Sequence, residues 1–187
     1  MSTQERPSPR DVVVLVGNPV PDSRTRSVAE LVAGSIGQDR TQPDLRAVTV
    51  ELSDYTGSVF NRHDAYVAAA RELVSNAAVL IVATPVYKGS FTGLLKAFLD
   101  GVSAGALTRT VLVPVLLGAS SAHLAVADLH LRSVVAELGA VLPVPSFVIE
   151  ERHLEDLASA VDTWRERHLD LLSAARWAVR DSAGVLQ

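Results

Sequence analysis

The sequence predicts one α/β domain built on a doubly wound parallel sheet of five strands in the order 2-1-3-4-5. Three observations carry that prediction. Five strand-length apolar segments alternate with helix-patterned segments along the chain, an order that places parallel strands beside right-handed crossovers. Most of the strand segments are β-branched and continuously apolar rather than alternating, which suits strands covered on both faces. The length, 187 residues with 48 % hydrophobic, suffices for one well-formed core and falls short of two ordinary ones.

The elements follow in order. "DVVVLVG", Asp11 to Gly17, is the first strand, and Val28, Leu31, Val32 and Ile36 make the stripe of the first helix. "LRAVTVEL", Leu45 to Leu52, alternates more, as an edge strand does. Val67, Ala70 and Val74 mark a second helix, with Asp64 as its N-cap candidate. "AAVLIVAT", Ala77 to Thr84, is the third strand, and Leu94, Leu95, Phe98, Leu99 and Val102 form the next helical stripe. "TVLVPVLLG", Thr110 to Gly118, is the fourth strand. Its Pro114 donates no ladder hydrogen bond, so an irregularity is expected there. Leu124, Ala127, Leu131, Val134, Val135 and Leu138 make the fourth helix, stopped by Gly139. "VLPVPSFVI", Val141 to Ile149, is the fifth strand, and Pro143 and Pro145 send it to a sheet edge. The last helix runs through Leu154, Leu157, Ala158, Val161, Trp164, His168, Leu171, Leu172 and Ala175, with charges on its other face. Residues 1–10, "MSTQERPSPR", read as a disordered leader. The domain is taken as 11–180, with a loose tail after Val179.

Composition narrows the class. The absence of cysteine removes disulfides, thiolate metal sites and cysteine nucleophiles, and fits a reducing cytosol. A net charge of −4 with no long basic run gives no general attraction to nucleic acid or anionic membrane. The N-terminus lacks the apolar core of a signal peptide, and the apolar runs fall short of the roughly 20 residues that span a bilayer. The expectation is a soluble, cytoplasmic protein. No spacing of histidines and carboxylates forms a metal site.

In such a sheet the ligand lies beyond the carboxyl ends of the strands, at the switch point between strands one and three. Three loops converge there. "GNPVPDSRT", Gly17 to Thr25, opens a helix whose N-terminal N–H groups and dipole favour an anion. Ser23 and Thr25 can donate to a phosphate, and Arg24 or Arg26 can add charge. The structural alternative is a plain capped helix. "TPVYKGSFTG" follows strand three: Pro85 fixes the backbone, Tyr87 offers a flat ring, Gly89 permits an unusual dihedral, and Ser90 or Thr92 can cap a helix. "LLGASSAH" follows strand four, where Gly118, Ala119, Ser120 and Ser121 bring small side chains and open N–H groups to the crevice. There is neither G-x-G-x-x-G nor G-x-x-x-x-G-K-[ST], which argues against a classical dinucleotide fold or a P-loop.

These three segments, with "ATPVYKGSFTGLLKAFLDGV" the most specific, resemble the flavin-contacting segments of the NAD(P)H-dependent FMN reductases, a family of flavodoxin-like fold. The resemblance runs from about Val12 to Ile149, and is greatest to members that supply reduced flavin to a monooxygenase. It implies that Ser23, Arg24 and Thr25 hold the FMN phosphate with Asn18 near it. It places Pro85, Val86, Tyr87 and Lys88 along the isoalloxazine and ribityl chain, and Gly118, Ala119, Ser120 and Ser121 beyond the ring. It implies NADPH or NADH as hydride donor and a homodimer or homotetramer, with a neighbouring subunit completing the cleft. Val126, Leu129 and His130 offer a surface for that contact. Two departures stand out. Asn18 replaces a Ser found in many members, and the region where some flavin-releasing members carry an inserted aromatic or histidine reads "AVADLHLRS".

Hydride transfer needs no side-chain acid or base, so no catalytic residue is assigned with certainty. Lys88 is the candidate for electrostatic help and His123 the second choice. Three other readings compete. A quinone, azo or metal-oxyanion reductase on the same fold differs only in its acceptor. A flavodoxin-like electron carrier would be more acidic and richer in aromatics around the flavin. A serine hydrolase would use "GASSA" as a nucleophile elbow with His153 or His168, but Ala122 replaces the last glycine. Trp164 reads as core or interface, His63 and Asp64 as a helix start, and Glu150, Glu151, Glu155 and Asp156 as the solvated start of the last helix.

Overall fold

The central strands are buried end to end, and the architecture follows from that. The computed structural model describes residues 12–37 and 47–181. The strands are β1 (Val12–Val16), β2 (Ala47–Glu51), β3 (Val79–Pro85), β4 (Val111–Gly118) and β5 (Phe147–Glu150). They form one sheet in the order β2-β1-β3-β4-β5, and every pairing is parallel. The helices are α1 (Arg24–Gly37), α2 (Ala65–Ser75), α3 (Gly93–Leu99), α4 (Ser121–Glu137) and α5 (Leu157–Asp181). The predicted order and fold class are those observed. The expected leader, residues 1–10, lies outside the described residues, as do Asp11, Leu45 and Arg46.

Alternation along each strand divides the core in two. Val12, Val14, Val16, Ile81, Ala83, Val113 and Val115 face α1 and α5. Val13, Leu15, Leu80, Val82 and Leu112 face α2, α3 and α4. A strand with both faces covered is apolar at nearly every position, which is why the strand segments are continuous in sequence. Trp164 belongs to the first core: its ring meets Phe147 edge-on and its Nε1 donates to the Pro145 carbonyl at 3.2 Å. Asp64 caps α2, accepting from the N–H groups of Tyr66 and Val67 at 2.9 and 3.0 Å.

Pro114 does not interrupt β4, which runs unbroken opposite Val82 of β3. The Leu112 N–H donates to the Val141 carbonyl, on the β5 side. By alternation the nitrogen of Pro114 points the same way. There it meets a gap, because β5 begins only at Phe147, opposite Val115. The irregularity expected at Pro114 therefore sits in the neighbouring chain. Of the predicted fifth strand, Val141 makes an isolated bridge to Val111, and Pro143 and Pro145 lie in the connection to Phe147. Arg132 of α4 secures that connection, donating to the Val144 carbonyl at 2.8 Å and to Ser146 Oγ at 3.0 Å. β5 is an edge strand, as its prolines predict.

Two boundaries differ from expectation. The segment Glu151–Asp156 is a 3₁₀ turn, and α5 starts at Leu157, so the acidic residues precede the helix. α5 then continues to Asp181, past the point where the sequence predicts a loose tail. Among the described residues no helix is long and apolar enough to cross a membrane.

Candidate functional site

The crevice lies where α1 leaves β1 on one face of the sheet and α3 follows β3 on the other. Backbone bonds bring the three loops together at that point. The Gly17 N–H donates to the Ala83 carbonyl at 2.7 Å, and the Val86 N–H to the Leu117 carbonyl at 2.8 Å. Thr92 locks the first loop to the second. Its hydroxyl donates to the Gly17 carbonyl at 2.5 Å and accepts from the Leu95 N–H at 3.1 Å, as N-cap of α3. Its own N–H donates to Thr84 Oγ1 at 3.2 Å. A side chain at position 17 would place a Cβ 2.8 Å from that of Leu95, so the first loop can pass α3 only as glycine.

In the first loop, Asn18 is buried and makes two internal hydrogen bonds. Its Nδ2 donates to Thr25 Oγ1 at 3.1 Å, and its Oδ1 accepts from the Val20 N–H at 2.9 Å. Thr25 is also buried, its hydroxyl facing Asn18. These two residues shape the loop. Ser23 accepts from the Arg26 N–H at 3.3 Å, which caps α1 and leaves the hydroxyl proton free to donate. The N–H groups of Arg24 and Thr25, in the first turn, have no intrahelical acceptor. Arg24 pairs with Glu151 at 3.0 Å, and both side chains are exposed. Arg26 bonds Glu30 at 2.9 Å, Asp22 at 2.8 Å and Glu51 at 3.0 Å. The hydrogen bond to Glu30, with the neighbouring carboxylates, raises the pKa of Arg26 above its ordinary value. Glu51 Oε1 also accepts from the N–H of Asp22, whose φ is +49°. The sequence alone assigns Glu51 no role at the site and reads Glu151 only as a solvated charge at the start of the last helix.

In the second loop, Tyr87 and Ser90 exchange backbone hydrogen bonds at 2.9 and 3.1 Å around Lys88 and Gly89. Both central residues have positive φ, +54° and +74°, which is the signature of a tight type I′ hairpin. The freedom expected of Gly89 is used, and Lys88 shares a backbone conformation that side chains disfavour. Tyr87 is half exposed. His130 of α4 approaches this hairpin, its Nδ1 3.4 Å from Ser90 Oγ.

In the third loop Gly118 is buried, and a Cβ there would lie 3.2 Å from Val86 and 3.3 Å from Leu124. Ser120 caps α4, accepting from the His123 N–H at 3.4 Å, while Ala119 and Ser121 are small and exposed. α4 is a regular α-helix from Ser121 to Glu137, with Leu129 and His130 inside it. His168 lies against Trp164 on α5, centroids 5.4 Å apart. The hydroxyl of Ser120 is thus a cap, and His168 packs in a different part of the fold. An open groove of about 500 Å³ between α3 and α4 is lined by Leu99, Val102, Val134 and Leu138. None of the three loops borders it. Among the described residues no group of three or more His, Cys, Asp or Glu gathers as a metal site would.

Among the described residues the three loops present a helix N-terminus with a free hydroxyl and N–H groups that lack an intrahelical acceptor, and opposite it a tight hairpin and small side chains, features suited to a planar, phosphate-bearing group. A parallel sheet in this order is flavodoxin-like, and in flavodoxin itself FMN lies at the β1/β3 switch point. The model of the NADPH-dependent FMN reductase family matches residues 10–153, and the chain belongs to that family. It is 35 % identical to the FMN reductase (NADPH) of Pseudomonas putida over 132 residues, 69 % of this chain and 65 % of that enzyme. It is 31 % identical to the NADH-dependent FMN reductase SfnE of Pseudomonas putida over 186 residues, 94 % of this chain and 99 % of the relative. Among solved structures, the apo form of the NADH:FMN oxidoreductase EMOB superposes with a TM-score of 0.70 at 29 % identity, covering 84 % of this chain and 89 % of that one. Membership makes the chain an oxidoreductase of a class that couples FMN to a reduced nicotinamide nucleotide.

Proposed function

We propose that the chain reduces FMN with NADPH or NADH at the β1/β3 crevice and gives up the reduced flavin to a monooxygenase. The observation that carries the reading is the Lys88–Gly89 hairpin, held at positive φ and tied through Val86 to β4 at the switch point. Backbone held in such a conformation clusters at ligand sites. Ser23 Oγ, the Arg24 guanidinium and the first-turn N–H groups of Arg24 and Thr25 hold the phosphate, while Asn18 and the Thr25 hydroxyl keep that loop in shape. Pro85, Val86, Tyr87 and Lys88 lie along the ring and ribityl chain. Gly118, Ala119, Ser120 and Ser121 leave room for a nicotinamide on its other side. Bound FMN supplies the hydride acceptor. The chain contributes orientation, and Lys88 contributes positive potential toward negative charge on the flavin.

Second-subunit contact belongs to the same proposal. Val126 and Leu129 of α4 are exposed at 46 % and 66 %, beside a hairpin whose Tyr87 is exposed at 53 %. An apolar face of that kind supports a homodimer or homotetramer completed across the cleft. A cysteine-free sequence supports a cytoplasmic setting. The test is NADPH and NADH oxidation by purified protein, with and without free FMN, after recording its absorbance spectrum. Colourless protein whose turnover saturates with added FMN supports flavin as substrate. Yellow protein that requires a quinone or dye replaces this reading with an acceptor reductase on the same fold.

A further inference from the structure

We infer that Glu151 is an internal competitor of the flavin phosphate for Arg24, and so sets how readily the protein lets FMN go. The inference rests on the reading of Ser23, Arg24 and Thr25 as the phosphate site.

The two arginines of the first loop are held differently. Arg26 is shared by Glu30, Asp22 and Glu51, and the Glu51 side chain is only 12 % exposed. That cation is neutralised several times over and is not available to a ligand. Among the described residues Arg24 pairs with one carboxylate, Glu151, which enters from the turn after β5 and is separated from it by 127 positions in sequence. The side chains are 65 % and 46 % exposed, so the pair adds little to folding stability and opens easily.

A phosphate monoester carries roughly −1.5 to −2 at pH 7 and accepts two parallel N–H bonds from one guanidinium. It therefore displaces a single carboxylate from Arg24, but not without cost. Binding must break the Arg24–Glu151 pair, and then leaves the Glu151 carboxylate as a like charge near the phosphate. Asp22 and Glu51 already stand at the same loop. The loop thus offers hydroxyl and N–H donors suited to phosphate while its carboxylates hold the affinity down. For a protein that passes its flavin on, that combination promotes release. Riboflavin, which lacks the phosphate, does not take part in the competition.

The experiment is a double-mutant cycle on dissociation constants, read by quenching of flavin fluorescence, with FMN and riboflavin as the two probes. Glu151→Gln is expected to tighten FMN by roughly two- to five-fold at low salt, with the gain shrinking as salt rises, and to leave riboflavin unchanged. Arg24→Gln is expected to weaken FMN, and Glu151→Gln added to it to give little further change. Glu151→Gln that leaves FMN affinity unchanged or weaker, with Arg24→Gln still weakening it, overturns the competition and leaves the phosphate site standing. An equal shift with riboflavin overturns it as well. Arg24→Gln with unchanged FMN affinity overturns the phosphate reading and this inference together.

Discussion

Replacing Thr92 by valine tests whether one hydroxyl fixes the geometry of the crevice. The side chain is buried, and valine nearly matches its shape, so the change amounts to losing the hydroxyl. Two bonds go with it. The cap on the Leu95 N–H, now 3.1 Å, contributes about 1 kcal/mol in comparable helices. The Gly17 carbonyl, now accepting at 2.5 Å, is left without that donor inside the protein, at a cost of about 1–3 kcal/mol. The Thr92 N–H keeps its bond to Thr84. The expected loss is about 2–4 kcal/mol, which for a chain of this size lowers Tm by roughly 5–15 °C. Urea unfolding followed by far-ultraviolet circular dichroism measures it, with m unchanged. Thr92→Ser, which keeps the hydroxyl and loses one methyl group, should cost only about 1 kcal/mol. FMN affinity should fall for the valine variant and hold for the serine variant, because the lost bond is the one that ties Gly17 to the second loop. A valine variant within about 0.5 kcal/mol of the parent, or a serine variant as weak as valine, would refute the reasoning.

Three further outcomes follow from the geometry. Lys88→Asn should raise stability by a few tenths of a kcal/mol, since asparagine tolerates positive φ, while lowering kcat/KM for FMN reduction several-fold; a drop in Tm would remove the hairpin argument. Ser23→Asp should keep α1 capped yet weaken FMN at least roughly ten-fold by setting an anion against the phosphate, and unchanged quenching of flavin fluorescence would take this loop out of the site. Tyr55 has its pKa raised above 10, chiefly by burial and then by Asp54 and Asp64. The unfolded chain therefore loses this proton first: the contribution is fully present below pH 10 and declines as pH rises from there through the folded-state value. Tyr55→Phe should flatten that alkaline limb in urea midpoints measured from pH 9 upward, and an identical decline in both proteins would assign it elsewhere.

The strand order and the three loops were legible because each rests on a local cause. A strand covered on both faces is apolar without interruption, as in Val12–Val16 and in Val79–Ala83 of β3, and the chain leaves such a strand only through residues that can turn. The fifth strand was read too long because Val141, Val144, Phe147 and Ile149 are all apolar. Only the last two belong to β5; Val141 makes a bridge and Val144 is buried in the connection. Apolarity reports burial, and burial does not require a ladder. Lys88 was named for its charge, yet its positive φ carried no local mark, because the turn type is set by the Tyr87–Ser90 pairing around it.

The carboxylates were harder to find for a different reason. Glu51 acts on Asp22 across 29 positions, and Glu151 on Arg24 across 127. No periodicity spans such distances. The predicted topology did hold a usable signal. In a 2-1-3-4-5 sheet every carboxyl end opens on the same side as the ligand, including those of the edge strands. Glu51 ends β2, and Glu151 follows β5 directly. Read as part of the last helix, Glu151 was a solvated charge favouring a dipole. Read as the residue after an edge strand, it belongs to the rim of the site. On the proposed competition, an acidic rim around the first loop lowers affinity for an anionic ligand there. On that proposal, the carboxylates that end the edge strands govern whether flavin is kept or passed on, while the three loops govern whether it binds.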